Sequence, residues 1–202
     1  MPEHGGRGYH SRPSAADRIA PDCSLTGESP LHELTAFVRD VPDFPRPGVV
    51  FKDLAPLLAD AHAFGLCVGA LAAPWRGEGV GVVCGIEARG FALGGALAHA
   101  LGAGFVPLRK AGKLPGARVG VDYVLEYGVD RLEAHVDALT PGTRALIVDD
   151  VLATGGTLQA AQRLVEHLGA EIVGAAVVLE IGVLGGRARW VAAAPLVTLL
   201  RY

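Results

Sequence analysis

The sequence predicts an α/β protein whose central, mostly parallel sheet is flanked by helices. Residues 145–148 (Ala-Leu-Ile-Val) and 79–86 are apolar runs without alternation, as expected of strands buried on both faces. Each ends in charged and small residues, and leucines at helical spacing follow: Leu158, Leu164 and Leu168 after the first run, Leu93, Leu97 and Leu101 after the second. Strand-then-helix alternation of this kind implies parallel strands joined by right-handed crossovers.

Composition agrees with one such domain. The 202 residues are 50% apolar and 19% charged, with a mean hydropathy of +0.36, which describes a core-rich globular chain. Eighteen basic residues against 21 acidic ones leave a formal charge of -3, offering no basic footprint for nucleic acid or an anionic membrane. No apolar run reaches the ~20 residues of a membrane span. Cys23, Cys67 and Cys84 lack metal-ligand spacing and are expected to be reduced thiols, favouring a cytoplasmic setting.

Taken in order, residues 1–28 are rich in Gly, Pro, Ser, Arg and His, lack the apolar core of a signal peptide, and are expected to form a disordered extension. Residues 29–202 form the folded domain. Ser29 is an N-cap candidate with Pro30 at the first helical position, and Leu31, Leu34, Phe37 and Val38 make the apolar stripe of a helix expected to stop near Asp40. Prolines at 42, 45 and 47 then favour an extended loop. Residues 48–54 read as a short apolar loop edge. Phe51 within it suits either a core position or a flat face for a planar ring. Residues 61–75 read as a helix.

The run at 79–86 ends in Glu87-Ala88-Arg89-Gly90-Phe91, a turn at a strand's carboxyl edge where a guanidinium could meet a phosphate or simply remain a surface charge. Residues 105–108 form a third strand, followed by Arg109-Lys-Ala-Gly-Lys113-Leu-Pro-Gly116, basic residues broken by Gly and Pro, which reads as a mobile loop. Residues 119–127 lean towards strand; the period of 129–139 fits strand or helix. Residues 171–181 and 191–200 supply the last apolar runs.

The central stretch, Asp149-Asp150-Val151-Leu-Ala153-Thr154-Gly155-Gly156-Thr157, carries the most chemistry. Small residues between a strand and a helix can turn N–H groups and hydroxyls onto a phosphate. Two acids beside such a nest would repel the phosphate unless they hold ribose hydroxyls or a divalent cation. The stretch resembles the phosphoribosyl-pyrophosphate signature of the type I phosphoribosyltransferases. Pro47-Gly-Val50-Phe51-Lys52-Asp53 (with Val49 between), Glu87 to Phe91, Arg109 to Gly116 and Leu125-Glu126-Tyr127-Gly128 stand with it in the order seen in that family's adenine phosphoribosyltransferases. The resemblance covers about residues 31–202.

The resemblance implies a type I phosphoribosyltransferase-like fold with a small hood and a flexible catalytic loop. It further implies transfer of the 5-phosphoribosyl group from phosphoribosyl pyrophosphate to adenine, giving AMP and pyrophosphate in purine salvage, with Mg2+ as cofactor and a homodimer as the assembly. It gives Asp149 and Asp150 the ribose hydroxyls and gives Ala153, Thr154, Gly155, Gly156 and Thr157 the ribose phosphate. Glu87, Ala88 and Arg89 become the pyrophosphate loop, and Lys113 reaches pyrophosphate from the neighbouring subunit. Phe51 and Val151 face the adenine ring, the backbone at Val50 and Lys52 reads its edge, and Glu126 with Tyr127 belongs to the catalytic loop. Lys52 stands where many relatives carry Arg. A 6-oxopurine enzyme is the neighbouring alternative, against which residues 125–128 argue. A regulator that senses phosphoribosyl pyrophosphate while binding nucleic acid would need a basic face that this acidic chain lacks.

Overall fold

The computed structural model describes residues 30–124 and 128–202; the expected disordered extension, Cys23, Glu126 and Tyr127 lie outside them. Its centre is a seven-stranded sheet in the order β5-β6-β4-β3-β7-β8-β9. The strands are β3 (Val82–Ile86), β4 (Gly104–Lys110), β5 (Arg118–Val124), β6 (Val129–His135), β7 (Arg144–Leu152), β8 (Glu171–Glu180) and β9 (Leu196–Arg201). From β4 to β9 every pairing is parallel, and the two antiparallel pairings are β4 with β6 and β6 with β5. The mostly parallel sheet predicted from the apolar runs is therefore present.

Strand β7 shows why those runs do not alternate. Leu146 and Val148 face one apolar cluster, shared with α3 (Ala61–Ala72) and α4 (Arg89–Leu101). Ala145 and Ile147 face the other, shared with α5 (Gly156–His167). Successive side chains still point to opposite faces, but both faces are covered, so each position is apolar. Cys67 and Cys84 are free and buried, and burial pushes both thiols up to about 12.

Three expectations about the amino-terminal third are corrected. Helix α1 (Pro30–Thr35) ends well before Asp40. The next residues form β1 (Arg39–Pro42), which pairs antiparallel with β2 (Val50–Asp53), so the segment read as a loop edge is a strand. The intervening prolines sit in the connection of this hairpin, where absent N–H groups leave no ladder bond unmade. The ribbon is tied side to side by Arg39 with Asp53 (2.5 Å) and Lys52 with Asp40 (2.6 Å), and it stands apart from the main sheet as the small hood. A short α2 (Ala55–Ala59) joins it to α3. Elsewhere, Arg109 and Lys110 close β4 and do not belong to the basic loop, and the ambiguous segment after residue 128 is a strand.

Connection β3-α4-β4 runs towards one edge of the sheet and β7-α5-β8 towards the other, so strand order reverses between neighbours β3 and β7. In open α/β sheets the crevice outside the carboxyl ends at such a reversal is where ligands bind. Among the described residues no helix is long and apolar enough to cross a membrane.

Candidate active site

Two helices begin in that crevice, and neither is capped by a side chain. Helix α4 starts after Ala88 and α5 after Gly155, whose φ of 81° turns the chain sharply; no side-chain cap is formed at either start. Helix α3 differs: the Asp60 carboxylate accepts from the backbone N–H groups of His62 and Ala63. Uncapped first-turn N–H groups and the positive end of the helix dipole make both crevice ends receptive to anions.

Close backbone approach brings the two starts together. A methyl group at Gly90 would lie 2.9 Å from the Val148 carbonyl oxygen and 3.2 Å from Asp149 Oδ1. Glycine therefore lets the first turn of α4 rest on the end of β7. Arg89, one residue earlier, pairs through Nε with Asp150 Oδ2. Asp149 is buried, and burial first, then the neighbouring Asp150 carboxylate, push its carboxyl well above the usual range.

Arg89 and Asp150 line two cavities at once. The first, about 330 Å³, is polar and is walled by Glu87, Ala88, Lys110, Tyr123, Asp149 and Thr157 besides the pair. The second, about 340 Å³, is largely apolar and is walled by Val49, Val50, Phe51, Lys52, Val151, Ala153, Ile181 and Leu184 besides the pair. The strands explain this split. β7 delivers Asp149 to the polar side and Val151 to the apolar side, and the hood strand β2 lays Phe51 over the latter. The Phe51 ring makes an edge contact with Phe44 at 5.2 Å and lies 5.6 Å from the Arg89 guanidinium. The Lys52 ammonium is engaged by Asp40 and lies 4.3 Å from the Tyr202 ring centre. Its backbone is what remains for a ligand there.

Glu87 organises the basic segment. Its part-buried carboxylate accepts from Lys113 Nζ, from the Lys110 N–H at 2.9 Å and from Arg109 Nε at 3.4 Å. Burial alone would raise its pKa, but these donors, Lys113 foremost, overcome that and hold it down at about 2. Lys113 is thus paired within its own chain, outside both cavities. Buried Glu133 holds the other end of the segment through the Gly112 N–H at 3.0 Å and Arg118 at 3.2 Å.

The structure therefore brings Val50, Phe51, Lys52, Glu87, Ala88, Arg89, Asp149, Asp150, Val151, Ala153 and Thr157 around one bipartite crevice. Thr154, Gly155 and Gly156 complete the turn into α5. Sequence reasoning missed Lys110, Tyr123, Val49, Ile181 and Leu184 as wall residues. Lys110 follows an identified strand and could have been found by extending it. Tyr123 donates to Asp130 at 3.1 Å, which Lys110 also meets at 2.8 Å. Ile181 and Leu184 reach the site only because β8 lies beside β7, with Leu179 opposite Val151.

A crevice at a strand-order reversal, with paired acids and an uncapped, anion-receptive helix start on one side and an apolar slot lined by Phe51 on the other, fits the class of the phosphoribosyltransferases. Residues 58–191 match the family described as "Phosphoribosyl transferase domain". The chain is 53% identical over 185 residues to the adenine phosphoribosyltransferase of Xanthomonas campestris pv. campestris (strain B100), covering 90% of this chain and 99% of that protein. It also superimposes on the crystal structure of adenine phosphoribosyltransferase from Rhodothermus marinus DSM 4252, with a TM-score of 0.82 and 50% identity over 86% of this chain and 98% of the other. The Saccharomyces cerevisiae adenine phosphoribosyltransferase, complexed with adenine and D-2,5-dideoxy-2,5-imino-altritol 1,6-bisphosphate, matches with a TM-score of 0.80 and 38% identity, covering 85% of this chain and 98% of its own. The chain belongs to the adenine phosphoribosyltransferase family, with the type I fold.

Proposed function

We propose that this chain transfers the 5-phosphoribosyl group of phosphoribosyl pyrophosphate to adenine, forming AMP and pyrophosphate in purine salvage. The single observation that carries this reading is that one ion pair, Arg89 with Asp150, stands between an apolar slot and a polar, anion-receptive cavity. A reaction that joins a flat base to a phosphorylated sugar needs two such compartments meeting at the reacting carbon.

In the proposed complex adenine lies between Phe51 and Val151, with its edge against the backbone of Val50 and Lys52. The ribose 5-phosphate rests on residues 153–157 at the start of α5. Asp149 and Asp150 receive the ribose hydroxyls, and Asp150 exchanges the Arg89 guanidinium for them. Arg89 then turns to the pyrophosphate, beside Glu87 and Ala88. The anomeric C–O bond breaks, the electron pair leaves with pyrophosphate, the purine nitrogen forms the new bond to the anomeric carbon, and its proton departs. Negative charge developing on the leaving group is stabilised by Arg89 and by Lys113. Glu126 and Tyr127 serve as the acid-base and positioning groups over the purine.

Mg2+ fits this donor set as a cation carried by the substrate's diphosphate: among the described residues no cluster of three or more His, Cys, Asp or Glu forms a protein cage, whereas two neighbouring carboxylates suit an ion that keeps substrate and water ligands. Bound there, it would neutralise the diphosphate charge. We assign a homodimer as the working assembly, in which Lys113 leaves Glu87 to reach the neighbouring subunit's pyrophosphate. We also assign residues 29–202 as the catalytic domain, residues 1–28 as an extension outside it, and a cytoplasmic location.

Purified protein incubated with phosphoribosyl pyrophosphate, Mg2+ and each purine base in turn tests the reading. AMP from adenine at a rate far above nucleotide from hypoxanthine or guanine is expected. Turnover of hypoxanthine with none of adenine would reassign the base; no turnover with any base, together with salt-sensitive DNA binding, would favour a regulator.

A further inference from the structure

The segment after β8 carries a cation that the proposed mechanism does not use. It forms two 3-10 turns, Gly182–Leu184 and Gly186–Arg189, joined at Gly185. Its second turn is fastened inward by Arg187. That guanidinium donates to the buried Glu180 carboxylate at 2.6 Å, to Thr198 Oγ1 at 2.7 Å and to the Leu196 carbonyl at 2.8 Å, and the Arg187 partnership leads the causes that hold Glu180 below the ordinary carboxylate range. The turn also touches the phosphate turn directly. A side chain at Gly186 would strike the Ala153 carbonyl oxygen and approach the Gly155 N–H at 2.8 Å. Backbone therefore packs on backbone there, and the two turns keep a set spacing.

Arg189 closes the second turn and points its guanidinium at the start of α5. A methyl group on Gly156 would sit 3.5 Å from Arg189 Nη1. Among the described residues the Arg189 side chain makes no hydrogen bond or ion pair; only its backbone carbonyl is used, by Gln159 Nε2 at 3.5 Å. An exposed guanidinium with no counter-charge among the described residues, lying beside an uncapped helix start, adds its field to that of the start, and both favour a dianionic group.

We infer that Arg189 is a further substrate-binding residue, which places its guanidinium on the 5-phosphate held by residues 153–157. The inference rests on the reading of those residues as the phosphate turn. It assigns the phosphate site two walls: neutral N–H and hydroxyl donors from α5, and one full positive charge from the segment after β8. Such a charge discriminates phosphorylated ligands from their dephosphorylated counterparts, which the backbone donors alone do less well.

Calorimetric titration of the full chain and its Arg189→Ala, Arg189→Lys and Thr157→Ala variants with AMP and with adenosine tests it. Removing a charge-assisted contact should weaken AMP about tenfold in Arg189→Ala, with adenosine affinity kept within about twofold and Arg189→Lys recovering part of the loss. AMP affinity unchanged in Arg189→Ala, or AMP and adenosine weakened alike, overturns the inference. Thr157→Ala separates the two readings. Loss of AMP affinity there with Arg189→Ala unaffected overturns only the role of Arg189, whereas unchanged AMP affinity in both variants overturns the phosphate turn itself.

Discussion

Arg89, at the first position of α4, pairs with Asp150 near the end of β7 and thereby joins the polar and apolar halves of the crevice. In this pair each charge neutralises the other. The proposed reaction needs them apart, with Asp150 on the sugar and Arg89 on the diphosphate.

Asp150→Asn should therefore weaken the sugar substrate more than it slows chemistry. A hydrogen bond to a charged group contributes about 1.5–3 kcal/mol, so KM for phosphoribosyl pyrophosphate is expected to rise about tenfold or more. Initial rates at saturating adenine measure it, and an unchanged KM would remove Asp150 from the sugar.

Gly90→Ala should act on the same pair from beneath. The added methyl would meet the Val148 carbonyl at 2.9 Å and Asp149 Oδ1 at 3.2 Å, pushing α4 away from β7 and Arg89 with it. Overpacking of this kind destabilises by about 1–3 kcal/mol. Denaturant melts should show the loss, and KM for phosphoribosyl pyrophosphate should rise in parallel; a variant as stable and as active as the parent would contradict the close approach.

Phe51→Ala removes one face of the apolar slot. Stacking adds about 0.5–1.5 kcal/mol beyond the area buried, so KM for adenine should rise roughly tenfold while KM for phosphoribosyl pyrophosphate stays near the parent value. If both constants rise together, Phe51 supports the hood and not the base.

Glu87 gives a pH signature. Its carboxyl ionises at about 2 in the folded chain against an ordinary value of 4.5, so the folded state releases its proton more readily than the unfolded one. The resulting stability is complete above about pH 4.5 and is lost as pH falls from there towards 2. Glu87→Gln should flatten that acid limb in melts recorded across pH. An acid limb identical to the parent's would show that the Lys113 and Arg109 contacts add no stability.

Glu126→Gln addresses the residue that lies outside the described part of the structure. If it acts near the transition state, kcat should fall by at least tenfold with little change in phosphoribosyl-pyrophosphate binding. Single-turnover rates and equilibrium binding separate the two, and a parental kcat would take Glu126 out of the mechanism.

By itself the sequence determined the parallel sheet, because strands covered on both faces must be apolar at successive positions, as residues 145–148 are. It also marked residues 87–89 and 153–157 as candidate ligand segments at strand ends, since each is a contiguous run whose small and charged residues are written side by side. Only the tertiary structure decided the rest. The hood strands read as helix end and loop because their four-residue length leaves too few positions for a period to show. Lys113 turned out to hold Glu87, a partner 26 residues away that no local pattern names. Ile181 and Leu184 came to the crevice through the pairing of β8 with β7. Strand order is set by how crossovers pack over the whole sheet, so residues distant in the chain become neighbours without a local signal in the sequence.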